Sequence, residues 1–231
     1  MTFDWRAGLV LIVAIVALTR LGHLLAFRIP AIQRMRQLNR EEDRKRLAKP
    51  KYPPVVRLNN RIGLATNLVF FVAAAPFCVT LAAQPLWKYA LDIAAILMVY
   101  DFFYYLTHRF VFHGPILLKV HGLHHQARDP SHIDAYYVHP LETLIGIALY
   151  MGTIVGLAFL MGPFHALSVA VAFVIFTQLN IINHTRVELP RFPFRTLTWI
   201  TRKHHVHHEN MQKGNYATIT LLYDRLFGTL D

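Results

Sequence analysis

Histidine stands out by number and by spacing. Fourteen histidines outnumber the thirteen carboxylates, and ten of them fall into a pattern. His108 and His113 sit in HRFVFH, His121, His124 and His125 form HGLHH, and His139 opens HPLE. His184 lies in NHT, and His204, His207 and His208 form a second HxxHH inside KHHVHH. Neutral imidazole is the commonest metal ligand and suits zinc, copper, iron and nickel. Converging rings without metal would leave buried ring nitrogens seeking partners, which is costly. With metal, each ring uses one nitrogen on the ion and donates the other to a carboxylate or carbonyl. Asp101, Asp134, Glu142 and Asp224 are available for that task. A tetrahedral ion needs four ligands, so ten histidines imply two ions. Positions i, i+3 and i+4 share a helical face, so each HxxHH is expected to present three imidazoles in one direction. His205 is expected to point elsewhere, and His23, His132 and His165 read as ordinary side chains.

Apolar segments must position these rings. The chain has 231 residues, of which 55% are hydrophobic and only 16% charged. That abundance of apolar surface excludes disorder. The lone Cys78 excludes a disulfide scaffold. A bilayer-spanning helix needs about 20 mostly apolar residues. Residues 5–27, 62–87 and 89–107 qualify, and 143–183 is long enough for two crossings with a turn at Met161-Gly162-Pro163. The first segment lacks a basic start and a small-residue cleavage pattern, so it reads as a span and not a signal peptide. The expected architecture is an all-α integral membrane helical bundle. It has four to five spans, two hairpins and a histidine-rich helical cap. Residues 1–61 form an N-terminal span plus basic loop, and 62–231 a catalytic membrane domain.

Charge orients the spans. Eleven basic residues lie between Arg28 and Arg61, which places that loop, every histidine cluster and the C-terminus on the cytoplasmic face. With this hydrophobicity, the net charge of +11 points to anionic lipid head groups and not to nucleic acid. No HExxH, GxSxG or Walker loop is present, which removes the usual zinc protease, serine hydrolase and nucleotide-binding readings. Redox metal chemistry at a lipid-facing site is the best physical option. A histidine-rich metal transporter and a zinc-dependent lipid hydrolase are the alternatives. Transport would want ionisable groups at midplane depth, whereas these histidines lie at span ends.

The stretch DFFYYLTHRFVFH (101–113), with HGLHH, HPLE, NHT, HHVHH and the closing DRLFGT (224–229), resembles the fatty acid hydroxylase/sterol desaturase superfamily. The resemblance covers roughly residues 89–230. It implies a membrane-bound, non-haem, di-iron oxygenase. Such an enzyme uses O2 and two electrons from a separate electron-transfer protein to hydroxylate or desaturate a lipid C–H bond. Two irons are the implied cofactors, with zinc a possible substitute. The ligands implied are His108, His113, His121, His124, His125, His184, His204, His207 and His208, with His139 a tenth. Asn180 stands where some members carry a further histidine, and Tyr223 where many carry Trp. Beyond the ligands, Asp101 and Asn215 are the candidates for catalysis. Asp101 lies seven residues before His108 and so on its helical face. Asn215, with Tyr216, follows the last cluster, where it could bond near the site or shape a turn. Substrate is expected to enter laterally between the hairpins.

Overall fold

The computed structural model describes residues 1–192 and 194–231. The long helices are α1 (Trp5–Ala26), α2 (Pro30–Leu47), α3 (Tyr52–Val69), α4 (Leu86–Thr107), α5 (Pro140–Met161), α6 (Ala166–Ile182) and α7 (Arg195–Glu209). Among the described residues, four helical stretches are long and apolar enough to cross a membrane: Trp5–Ala26, Tyr52–Cys78, Leu86–Phe112 and Pro140–Met161. At 1.5 Å per residue, a 22-residue helix is about 33 Å long, enough for a hydrocarbon core of about 30 Å. The shorter α6 is also apolar. The chain is thus an all-helical, multi-pass membrane protein.

Two pairs of helices consecutive in the chain, α3 then α4 and α5 then α6, run out and back as hairpins, but the packing crosses between them: α3 lies on α5, α4 on both α5 and α6, and α1 along α6. Ala7, Leu11, Ile96, Ile154, Val169 and Ala170 are fully buried in the shared core. Outward residues such as Leu64, Phe159 and Leu160 are 71%, 72% and 83% exposed, as lipid-facing side chains must be. The turn of the second hairpin falls where the sequence places it. Gly162 there has φ +85°, a conformation glycine adopts without penalty. At this end, Val79–Thr80 pairs in parallel with Phe164–His165, fastening the two hairpin tips together.

The first hairpin begins earlier than hydropathy suggests. α3 starts at Tyr52, with prolines in its first turn, where their missing N–H groups are not needed. Arg61 and Ile62, expected to mark a division, are consecutive residues of this helix. Both α3 and α4 continue through a π-helical turn, Phe70–Ala74 and His108–Phe112 respectively. The second of these turns is decisive for the site.

Candidate metal centre

Nine of the ten patterned histidines converge, and they form two groups. His108, His113, His121, His125 and His207 make one, and His124, His184, His204 and His208 the other. Within each group the available ligand atoms lie within 4.8 Å of one another. Every one of these rings is buried except His113, which is partly buried.

The π turn explains how His108 and His113 meet. In an α-helix, residues five apart point about 140° from each other. Here His113 N–H donates to the His108 carbonyl at 3.0 Å, an i→i+5 bond that inserts one extra residue into the turn. The two rings then lie 5.1 Å apart, centroid to centroid.

The HxxHH motifs correct the expectation of three imidazoles aimed one way. On α7, His204 and His208 serve the four-histidine group while His207 serves the other. In HGLHH the assignment reverses: His121 and His125 join the five-histidine group and His124 the four. The i and i+4 residues of a helix differ by about 40° in direction and the i+3 and i+4 residues by about 100°, so one helix can straddle two adjacent sites. The first motif does this without a continuous helix, its rings coming from Leu118–His121 and a 3-10 turn at His124–Gln126.

The Nε2 atoms face inward. Those of His121 lie 3.1 Å from His108, 3.1 Å from His113 and 2.9 Å from His125. In the second group, His184 Nε2 is 2.9 Å from His124 and 3.1 Å from His204. Ligands 90° apart at a metal–nitrogen distance of about 2.1 Å would be separated by about 3 Å. The donor set therefore fits two metal ions. Burial is the main cause that lowers the imidazole pKa values, to about 4 for His113 and His184 and about 3 for His207. These rings are neutral near pH 7, the form that binds metal.

The Nδ1 atoms face outward to acceptors. His108, His113 and His207 donate to the carbonyls of Tyr216, Met211 and Gly214 at 2.6, 2.9 and 2.8 Å. His121 Nδ1 meets Glu142 Oε1 at 2.9 Å. His184 donates to Asn180 O at 2.8 Å and His208 to Ala127 O at 3.1 Å. Such outer partners set ring tautomer and direction. Sequence reasoning missed the carbonyls entirely, because a carbonyl has no residue-type signature. Tyr216, placed by the sequence near the site together with Asn215, packs its ring 5.2–5.6 Å from those of His108, His113 and His207.

Of the four candidate carboxylates, only Glu142 touches a histidine. Asp101 accepts the backbone N–H groups of Thr218, Ile219 and Thr220 and the Thr220 hydroxyl. It braces the segment after the carbonyl-bearing loop, and the ring partner of His108 is Tyr216. Asp224 accepts from Tyr216 N and Ala217 N and so holds that loop directly. Asp134 binds Ser131, Tyr52 and Arg46, away from the histidines. Asn215 has φ +63° and shapes a turn. Its amide donates to Lys203 O and its side-chain carbonyl accepts from Asp231 N. His139 joins neither group and accepts from Leu141 N at the start of α5. His165 plays the same capping part for α6. Tyr223 bonds the Met98 carbonyl, tying DRLFGT to α4.

A cavity of about 380 Å³ leads to the centre between the hairpins, lined by residues of α3, α4, α5 and α6 and by His124, His184 and Glu142. On α3 it runs from Asn59 to Asn67, about 12 Å at helical rise. Tyr100 and Phe176 also line it, and Tyr150 stacks on Phe176 at 4.2 Å. A separate surface groove beside Lys51, Arg128 and Asn210 reaches His125 and His208, one ring from each group.

Known proteins resemble the chain in sequence. Methylsterol monooxygenase 1 of Rattus norvegicus is 32% identical over 149 residues, 63% of this chain and 49% of that protein. A putative methylsterol monooxygenase of Dictyostelium discoideum is 30% identical over 60% of this chain and 50% of its own length. Protein CER1-like 2 of Arabidopsis thaliana is 28% identical over 57% of this chain and 22% of its own. The chain thus spans about half the length, or less, of these curated relatives. No solved structure is significantly similar to it. The family model for fatty acid hydroxylase matches residues 93–229, a stretch that contains all nine converging histidines together with Glu142 and Asp224, and the chain belongs to the fatty acid hydroxylase family.

Proposed function

We propose that the protein is an O2-dependent lipid hydroxylase or desaturase holding two irons, one in each histidine group. The observation that carries this reading is the placement of two adjacent, buried, all-imidazole groups at the inner end of a cavity between membrane hairpins. Bound there, the irons would supply O2 activation and the one-electron steps that break an unactivated C–H bond. The chain's own part is positioning and exclusion of water. The cavity presents lipid to the side of the centre bearing His124 and His184, while the Glu142 carboxylate, with Oε1 2.9 Å from His121 Nδ1, sets the direction of that ring from behind. Tyr100 and Phe176 add aromatic wall to the cavity, which suits an apolar substrate. The names of the rat and Dictyostelium relatives make sterols the first class to test.

Orientation follows from charge. α2 carries Arg34, Arg36, Arg40, Arg44, Lys45 and Arg46 and contacts the 131–134 segment through Asp43 and Asn39. It therefore lies at the histidine end, which we assign to the cytoplasm. Electrons would come from a separate protein. Among the described residues, the clustered imidazoles all lie at one end of the bundle, which speaks against a transport path.

Protein purified anaerobically and returned to a bilayer tests the function. Two irons per chain and O2 uptake coupled to oxidation of added sterol or acyl lipid are expected. One stable zinc with lipid cleavage and no O2 uptake would establish the hydrolase reading instead.

A further inference from the structure

α7 has two working faces. His204, His207 and His208 turn toward the metal centre, while Arg195, Thr198, Arg202 and His205 line a groove of about 1000 Å³ on its other side. Across the groove stands α2, with Ala31, Arg34, Met35 and Leu38. The segment 185–190, which leaves the end of α6, forms the floor between them.

The chemistry of this groove is amphipathic. Met35, Leu38, Val187 and Leu189 supply apolar wall and floor, and Arg34, Arg186, Arg195 and Arg202 supply positive charge. Only two carboxylates share the lining, Asp129 and Glu188. Arg186 is paired with Asp129. Arg202 meets Glu188 at 3.8 Å, with both side chains largely exposed, so that pair binds weakly and opens easily. Among the described residues, neither Arg34 nor Arg195 forms a salt bridge. Guanidinium groups so placed match a phosphate, which they bind through paired N–H donors.

The groove also sits at the right depth. α2 follows the end of α1 by a short turn at the histidine end of the bundle, and the groove floor follows the end of α6. Phe192, Phe194 and Trp199 beside it are 88%, 50% and 45% exposed. Exposed tryptophan is enriched at the head-group level of a bilayer, and the two phenylalanines add apolar surface beside it. Cytoplasmic leaflets offer anionic phospholipid at that level.

We infer that the groove between α2 and α7 seats the head-group phosphate of an anionic phospholipid, and that the bound lipid braces α7 from the face opposite its metal-binding histidines. Arg34 and Arg195 hold the phosphate from the two walls. The apolar floor meets the first carbons of the lipid chains. This site is distinct from the substrate cavity, and the inference stands whether or not the chain oxidises lipid.

The full chain in nanodiscs of phosphatidylcholine, with and without one fifth phosphatidylglycerol, tests it. Native mass spectrometry reads retained lipid, and hydrogen exchange reads α7. Wild type should retain phosphatidylglycerol at least about tenfold better than Arg34→Glu/Arg195→Glu, given the attraction each basic residue near the surface contributes. It should also show slower exchange in α7 when that lipid is present. Arg34→Gln/Arg195→Gln should give an intermediate loss, which guards against a folding defect in the reversed-charge variant. Lys119→Glu/Arg225→Glu makes the same change in net charge at exposed positions elsewhere and should retain lipid as wild type does. Equal retention by wild type and the Arg34/Arg195 variants would overturn the proposal, as would equal loss in the Lys119/Arg225 control. Inorganic phosphate slowing α7 exchange in phosphatidylcholine alone as much as phosphatidylglycerol does would also overturn it, making the groove a free-anion site.

Discussion

The five-histidine and four-histidine groups share α7, yet they are held from outside by different means. Three rings of the larger group donate to one loop, through Met211, Gly214 and Tyr216, and a fourth meets a carboxylate. That loop is in turn fixed by Asp224, with Asp101 bracing the segment that follows. In the smaller group, His184, just past the end of α6, donates to Asn180 in that helix, and His208 donates to Ala127 O. His204 Nδ1 has no partner among the described residues. Two of its rings, His124 and His184, line the lipid-side cavity. The contrast is between a ligand set with most of its partners on one distant loop and one with scattered partners, Asn180 O for His184 and Ala127 O for His208, that faces substrate. Outer partners raise metal affinity, so the five-histidine group should hold its ion more tightly.

The largest effect comes from the ligands. His207→Ala and His204→Ala, three residues apart, should each remove about one metal ion per chain and leave the other group loaded, since each removes a ligand from one set only. Metal analysis after desalting reads this, and loss of both ions from either variant would show that the groups are one coupled unit. Glu142→Gln should next weaken the five-histidine site by about 10- to 100-fold, the usual consequence of losing a partner behind a ligand. Chelator competition should show that the four-histidine site is unchanged.

Gly214→Ala probes the brace itself. A methyl group there would lie 1.8 Å from the Thr229 carbonyl oxygen, so the loop must move, at a cost of about 1–3 kcal/mol. Thermal unfolding should show that loss, and metal release should be confined to the five-histidine group. Acid gives a smaller effect. His113 and His184 titrate near 4 in the fold against an ordinary 6.5. Between those values the unfolded chain binds more protons, so the metal-free protein should lose stability as pH falls from about 6.5 to about 4 and show no dependence on these groups above that window. The smallest effect is a gain: Asn180→His adds an imidazole one turn before His184 and should slow metal release from the four-histidine group.

Much of this was legible in the sequence because side-chain type carries it. Apolar length reveals the spans, and the turn at Gly162 is marked by its neighbours. The density of imidazoles reveals a metal centre. What was hidden depends on backbone. The five-residue spacing of His108 and His113 fits no regular helix face, and only the π turn reconciles it. The splitting of each HxxHH between two groups follows from small angular differences along a helix that a shared-face argument ignores. Asp101 stood at a plausible spacing from His108 but found four donors in another segment. His139 carried the right residue type in a capping position. α3 began ten residues before its apolar run because Arg57, Asn59, Asn60 and Arg61 are polar, although the proline pair after Tyr52 marks its start.

The two-residue pairing of Val79–Thr80 with Phe164–His165 has a mechanical consequence. It clamps the hairpins at the end remote from the histidines, while an ion shared by His124 from the loop, His184 just past α6 and His204 and His208 of α7 would clamp the other end. Beams fastened at both ends yield most at mid-length. A lipid that parts the hairpins therefore meets least resistance along the stretch of α3 below Asn59, and the stiffness of two distant fasteners, as well as the shape of the cavity wall, governs how bulky a guest the protein admits.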